Sequence, residues 1–266
     1  GMSLFFAGGF MSMNDDFTAS PGHNPCVPEL PAPALPAVLR ADAFRGNVVP
    51  YTSTEAHVGI GLSESFLDYA AYGLFDSGML CLGVGTRLSQ QISTALFSAL
   101  ITSLKDLAFP SISAPISMAI RPQLPPDFTV GVDSGSPLLK LSLPSVAIDF
   151  YVWSSERYVR FMTFQTDLSV DLGLEVSNGQ ITPTPGEIVA ANSTVTNNEL
   201  LTENPTSLAT LIETILSNVS GLLGTDFDPI ALPAIAGLQI EVPDGGILGV
   251  NEGGQRFLGI FGNLAI

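Results

Sequence analysis

The sequence predicts an α+β fold with amphipathic helices packed on one face of a curled antiparallel sheet. Three observations lead there. Val146, Ile148, Phe150 and Val152 alternate with Ala147, Asp149, Tyr151 and Trp153, and apolar and polar residues alternate over 168–176, the period-2 signature of strands. Other stretches repeat apolar residues at helical spacing. The elements run helices, long meander, helix, strands, an order that suits helices on an antiparallel sheet.

Taken in order, residues 3–13 (SLFFAGGFMSM) read as an isolated strand. Residues 19–55 read as a linker, because Pro21, Pro25, Pro28, Pro31, Pro33, Pro36 and Pro50 favour extended chain and forbid long helices. A strand followed at once by a linker is expected to close a preceding domain over 2–18, which leaves 56–266 as the main domain. Gly1 before Met2 reads as an expression scar. Ser3 to Met13 lacks a basic n-region, so an export signal is expected elsewhere.

A helix is expected over 63–77. Ser63 or Ser65 can cap it, Gly78 suits the position past its end, and Phe66, Tyr69, Ala70, Gly73 and Leu74 recur at helical spacing. MLCLGV (79–84) reads as a short strand. A second helix is expected over 89–107, with Ile92, Leu96, Leu100, Leu104 and Leu107 in one stripe and Pro110 as its stop. Strands are expected at 114–121, 127–131, 137–143 and 157–166 besides the two alternating runs. Ser177-Asn178-Gly179 reads as a tight hairpin turn. A third helix starts at Asn204, with Pro205 in its first turn. Leu208, Leu211, Ile212, Ile215, Val219 and Leu222 form its apolar face, and Gly224 ends it. Strands around 236–242 and 256–263 close the chain.

Hydrophobic residues make up 46% of the 266 and charged ones 13%, about half the roughly 25% of an average domain. Mean hydropathy is +0.39. Pro, Gly, Ser and Thr break every long uncharged stretch, so no membrane helix accounts for this surplus. The apolar residues must therefore line the inside, as a filled core or as an elongated tunnel. Acidic residues outnumber basic ones 25 to 9, a formal charge of −16. That argues against nucleic acid, and against anionic membranes or lipopolysaccharide as electrostatic targets.

Catalytic constellations are sparse. His23 sits in the Pro-rich segment and His57 precedes a strand. No Gly-x-Ser-x-Gly elbow or P-loop occurs, and Gly83-Val84-Gly85 is too short for a dinucleotide fingerprint. Asn14-Asp15-Asp16, Asp226-Phe227-Asp228 and Asp244-Gly245-Gly246 lack the EF-hand pattern and read as solvated acidic turns. Two Cys and two scattered His make no zinc set. No catalytic residue, metal or cofactor is assigned. Cys26 and Cys81 permit one disulfide or stand as separate thiols. A bridge is expected, docking the linker beside the first helix.

At the level of motifs the chain resembles the C-terminal barrel of the bactericidal/permeability-increasing protein and lipid transfer protein family, part of the tubular lipid-binding superfamily. The stretches that carry this are His57-Val-Gly-Ile-Gly-Leu-Ser-Glu-Ser-Phe-Leu-Asp-Tyr through Asp76-Ser-Gly-Met-Leu, the Leu104–Phe109 helix end before Pro110, and Pro205 to Leu223. Gly237-Leu-Gln-Ile-Glu-Val, Gln255-Arg-Phe-Leu-Gly-Ile-Phe-Gly and the Gly22-His-Asn-Pro linker add to them. The resemblance implies an elongated barrel, a long and highly curved antiparallel sheet wrapped around helices, holding lipid and not catalysing a reaction. Its endotoxin-binding members use basic tips, and this acidic chain departs from them.

On this reading the lining comes from Phe66, Tyr69, Ala70, Leu74, Leu96, Leu100, Leu104, Leu208, Leu211, Ile215 and Leu222, with sheet partners Ile148, Phe150, Val170 and Leu172. The expected partner is a phospholipid or other acyl-chain lipid, neutral or zwitterionic, with transient membrane contact and an upstream second barrel or a homodimer in its place. Export is expected from the family habit and the cysteine pair. The rival reading is a structural or protein-interaction module of the same fold with no occupied pocket. A lipid hydrolase is the weaker third.

Overall fold

A computed structural model describes residues 23–34, 41–85, 94–98, 101–109, 113–133, 135–177, 179–219, 229–232 and 237–265. The expected strand at 3–13 lies outside these residues. In chain order the elements are a short 3-10 helix (Asp42–Phe44), β1 (Val58–Ser63), α1 (Glu64–Asp76), β2 (Leu82–Gly85), α2 (Thr94–Phe97), α3 (Leu104–Ala108), β3 (Ile116–Pro122), β4 (Asp127–Val130) and β5 (Leu139–Ser154). Then come β6 (Arg157–Ser177), β7 (Gln180–Thr196), α4 (Pro205–Val219), β8 (Ile230–Ala231), β9 (Gln239–Glu241), β10 (Ile247–Glu252) and β11 (Gln255–Ala265).

The fold is α+β with antiparallel sheets, as the sequence predicts. The single wrapped sheet is corrected. There are two sheets, ordered β1-β11-β10 with β9 also on β11, and β2-β3-β5-β6-β7-β8 with β4 on β5. Neither closes on itself among the described residues, so no closed barrel forms there. The sheets touch without pairing. Gly249 of β10 lies against the Gly131 carbonyl with no room for a Cβ, and only glycine permits that approach.

The predicted strands are fragments of longer ones. The runs 137–143 and 146–153 join into β5, and 157–166 and 168–176 into β6. Unforeseen is β7, whose Pro183, Pro185 and Gly186 argue against a strand. They are tolerated because beyond Ile181 the described residues pair β7 with β6 alone, so the prolines need no second ladder. β10 was also missed. It turns into β11 through Gly253 and Gly254, whose φ values of 61° and 80° fit a tight hairpin turn.

α1 and α4 start where the caps predict. The Ser63 hydroxyl accepts the Phe66 N–H at 3.2 Å, and Asn204 Oδ1 accepts the Thr206 N–H at 2.9 Å. The helix expected over 89–107 is corrected to two short ones, α2 and α3, with 89–93 and 99–100 outside the description. The Glu203 carboxylate, arriving just before α4, takes the Ser103 N–H at 3.0 Å and the hydroxyls of Thr102 and Ser103. It serves as an acceptor at the start of α3.

Burial pushes the Glu203 carboxyl up, but the Ser103 and Thr102 hydrogen bonds more than offset this and hold it at about 2, against an ordinary 4.5. A lowered folded value stabilises above the unfolded one and is lost as pH falls through 4.5 towards 2. Glu203→Gln is expected to cost about 1 kcal/mol at neutral pH. The gap to wild type should shrink in acid, as read from urea midpoints across that window. A constant gap would show that the charge is not what matters.

α1 holds the edge of β4. The Glu64 and Asp68 carboxylates accept the Val130 and Phe128 N–H groups at 2.8 and 2.7 Å. The match is geometric, because residues four apart on a helix rise about 6 Å and residues two apart on a strand about 6.6 Å. Desolvation raises the Asp68 pKa. The Phe128 bond opposes it, and Glu64 and Asp127 add to it.

The Pro-rich segment is a strap, not a free tether. Cys26 and Cys81 are joined in a disulfide, with Cα atoms 6.6 Å apart. Asn24 donates from its backbone to the Asp76 carbonyl, and the Tyr72 hydroxyl donates to the Leu30 carbonyl at 2.9 Å. Farther on, Ala41, Val49 and Ala56 are buried with Val250, Phe257 and Phe261. Phe44 stacks on Phe261 at 5.2 Å, in space that a side chain at Gly61 would fill.

Candidate functional site

The inner face of the larger sheet is built of cross-strand rows, because side chains two apart on a strand share a face. One row runs Ile120–Ile148–Phe164–Val195, the next Leu143–Leu168–Ala190, then Leu141–Val170–Ile188, then Leu139–Leu172–Pro185. A register shift between Leu143 and Val146 keeps both on this face, where plain alternation would oppose them. Ser145 takes φ 57° there. Asp167 ties the bend together, accepting the Ser145 N–H at 2.8 Å and the Asn192 side-chain amide at 2.7 Å. Those two bonds, the Asn192 one foremost, hold the Asp167 carboxyl below the usual carboxylate range.

The two ends of this face are covered. At one, Ile101 and Leu104 beside α3 and Leu208 and Ile212 of α4 close over Ile148, Phe150, Phe161, Met162 and Phe164. At the other, Leu172 and Leu174 pack with Val130, Leu139, Leu258 and Leu67. Between them Leu143 and Leu168 are only half-buried against the first cluster. Leu141, Val170 and Ile188 are half-buried and belong to no cluster among the described residues. Among the described residues an apolar floor is thus left partly open between two packed ends.

Of the lining residues named from the sequence, Leu104, Ile148, Phe150 and Leu208 meet in the first cluster, and Leu172 packs at the rim of the other. Val170 is on the open floor. Leu211 is half-buried on α4. Phe66, Tyr69 and Ala70 are half-buried on α1 outside the three clusters, and Leu74 is 41% exposed. The large α1 side chain that is fully buried is Phe75, which the spacing argument passed over. Leu100 and Leu222 lie outside the described residues, as do the side chains of Leu96 and Ile215. Sequence reasoning missed Leu141 and Ile188. The first sits in Lys-Leu-Ser-Leu-Pro, whose alternation was legible. The second sits behind two prolines and a glycine, with no such signal.

The opposite face carries a polar cluster. Asp149 is 1% exposed, and its carboxylate takes Arg121 at 2.7 and 2.8 Å and the Thr163 hydroxyl at 2.6 Å, with Arg160 at 3.6 Å. Every partner is a donor, so the Asp149 oxygens serve as the shared acceptor of this cluster. Both histidines have hydrogen-bond partners. His23 Nδ1 is 3.1 Å from Asp76, and His57 Nδ1 accepts the Leu264 N–H.

No family model matches the chain, and no curated protein does. Five chains among the solved structures match. One is a crystal structure of lipopolysaccharide binding protein, at 12% sequence identity and a TM-score of 0.46. The chain is similar to that protein, a member of the group named from the sequence motifs. The match covers 91% of this chain and 47% of the other, so the chain spans about half the length of that neighbour.

Proposed function

We propose that the chain binds an acyl-chain lipid along the inner face of the larger sheet, and that binding, not catalysis, is its activity. The observation that carries this is the half-buried row Leu141–Val170–Ile188 between two packed ends. Each methylene laid on it gains roughly 0.8 kcal/mol, so a long chain binds without any charged contact. With a formal charge of −16, the lipid is neutral or zwitterionic, not lipopolysaccharide. In this reading the helices and curved sheet form the elongated lipid-holding barrel. The lining is the set named from the sequence, extended by Leu141 and Ile188. A second barrel upstream, or a second copy, completes the assembly and transfers lipid through brief membrane contact. The Cys26–Cys81 bond accords with an exported protein.

The test is organic extraction of purified protein followed by mass spectrometry. Wild type is expected to release a near-stoichiometric acyl lipid. Val170→Asp, which places a charge on the floor, is expected to lose most of it with its circular dichroism unchanged. A protein that carries no lipid and takes up none from vesicles is instead the interaction module that shares this fold. Turnover of ester-linked lipids would make it a hydrolase.

A further inference from the structure

We infer that the end of the β5–β6 hairpin is a docking element for a zwitterionic phospholipid surface. Trp153 and Tyr158 are cross-strand partners there, on the face opposite the apolar floor, with ring centroids 5.1 Å apart. They are 42% and 47% exposed. Rings with an apolar body and a polar tip settle at the headgroup level of a bilayer, where both parts are satisfied.

Cationic side chains run along the same sheet towards that end. Arg157 opens β6 and is exposed, and Arg160 pairs with Tyr151 across the ladder. Arg121 and Arg160 share the one buried carboxylate of Asp149, two positive charges against one negative. Their side chains are 37% and 42% exposed, within reach of phosphate oxygens. Glu156, in the turn, is the only acid between Asp149 and Asp167. In a chain with only nine basic residues this is a local reversal of sign.

The rest of the chain chooses the surface. Its overall negative charge repels an anionic bilayer. A zwitterionic one presents phosphates to the arginines without net repulsion beyond the ~8–10 Å screening length. The inference rests on the lipid-binding reading only for the reason to visit a bilayer.

Trp153 is the only tryptophan in the chain, so its emission reports this hairpin alone. The full chain is titrated with phosphatidylcholine vesicles. A blue shift is expected, with quenching by lipids brominated near the headgroup end. Arg157→Glu combined with Tyr158→Ala should weaken partition about tenfold, while the lipid released on extraction stays at the wild-type level. Conversely, Val170→Asp should keep the Trp153 shift. Three results would overturn the inference: no association at millimolar lipid, vesicle co-sedimentation without any change at Trp153, or a shift confined to phosphatidylglycerol vesicles.

Discussion

Phe164→Ala is expected to cost about 4 kcal/mol of stability, while Val170→Ala costs about 1 kcal/mol or less yet lowers the lipid carried by the protein. The two side chains lie on the same face of the same strand, three rows apart. Phe164 is fully buried under the helices, and its loss leaves a void that its neighbours cannot fill. Val170 is half-buried and outside every cluster, so truncation removes little packing from the fold itself. Urea unfolding followed by circular dichroism gives the stabilities, and extraction gives the lipid. Phe164→Leu serves as the milder companion if the alanine variant fails to fold. Equal stability losses at the two positions would mean that the floor is ordinary core.

Reducing the Cys26–Cys81 bond is expected to cost about 4 kcal/mol, the chain-entropy value for a closed loop of 55 residues. Cys26→Ser should reproduce the loss, and in either case protease should cut readily between residues 26 and 34. In the folded chain that segment is held by the bond, the Asn24 contacts and the Tyr72 hydroxyl. An unchanged urea midpoint in reductant, with two free thiols counted, would remove the bond from the account of stability.

The period-2 runs were legible because β6 over 168–176 turns Leu168, Val170, Leu172 and Leu174 to one face and Ser169, Asp171 and Glu175 to the other. The caps of α1 and α4 were legible because Ser63 and Asn204 act through neighbours three or fewer residues away. What escaped was decided by distant partners. The start of α3 is held by Glu203, a hundred residues downstream of Ser103. β7 exists because β6 lends it a ladder despite Pro183 and Pro185. Separation into two sheets depends on backbone meeting backbone at Gly131 and Gly249, where periodicity carries no information. The candidate site was half legible for the same reason. Its residues could be named as apolar, but which rows the helices cover and which they leave open is a matter of packing.

The strap also determines how the chain bears a mechanical load. Tension applied through residues ahead of Cys26 crosses the disulfide directly to Cys81, so residues 27–80 carry none of it. The 3-10 helix, Phe44, β1 and α1 all lie inside that shielded loop. Pulling on the oxidised chain therefore loads β2 first, a four-residue strand paired with β3. Once the bond is opened, the same pull peels the strap and unravels β1 from β11. That releases roughly 180–200 Å of extended chain that the oxidised form keeps out of reach.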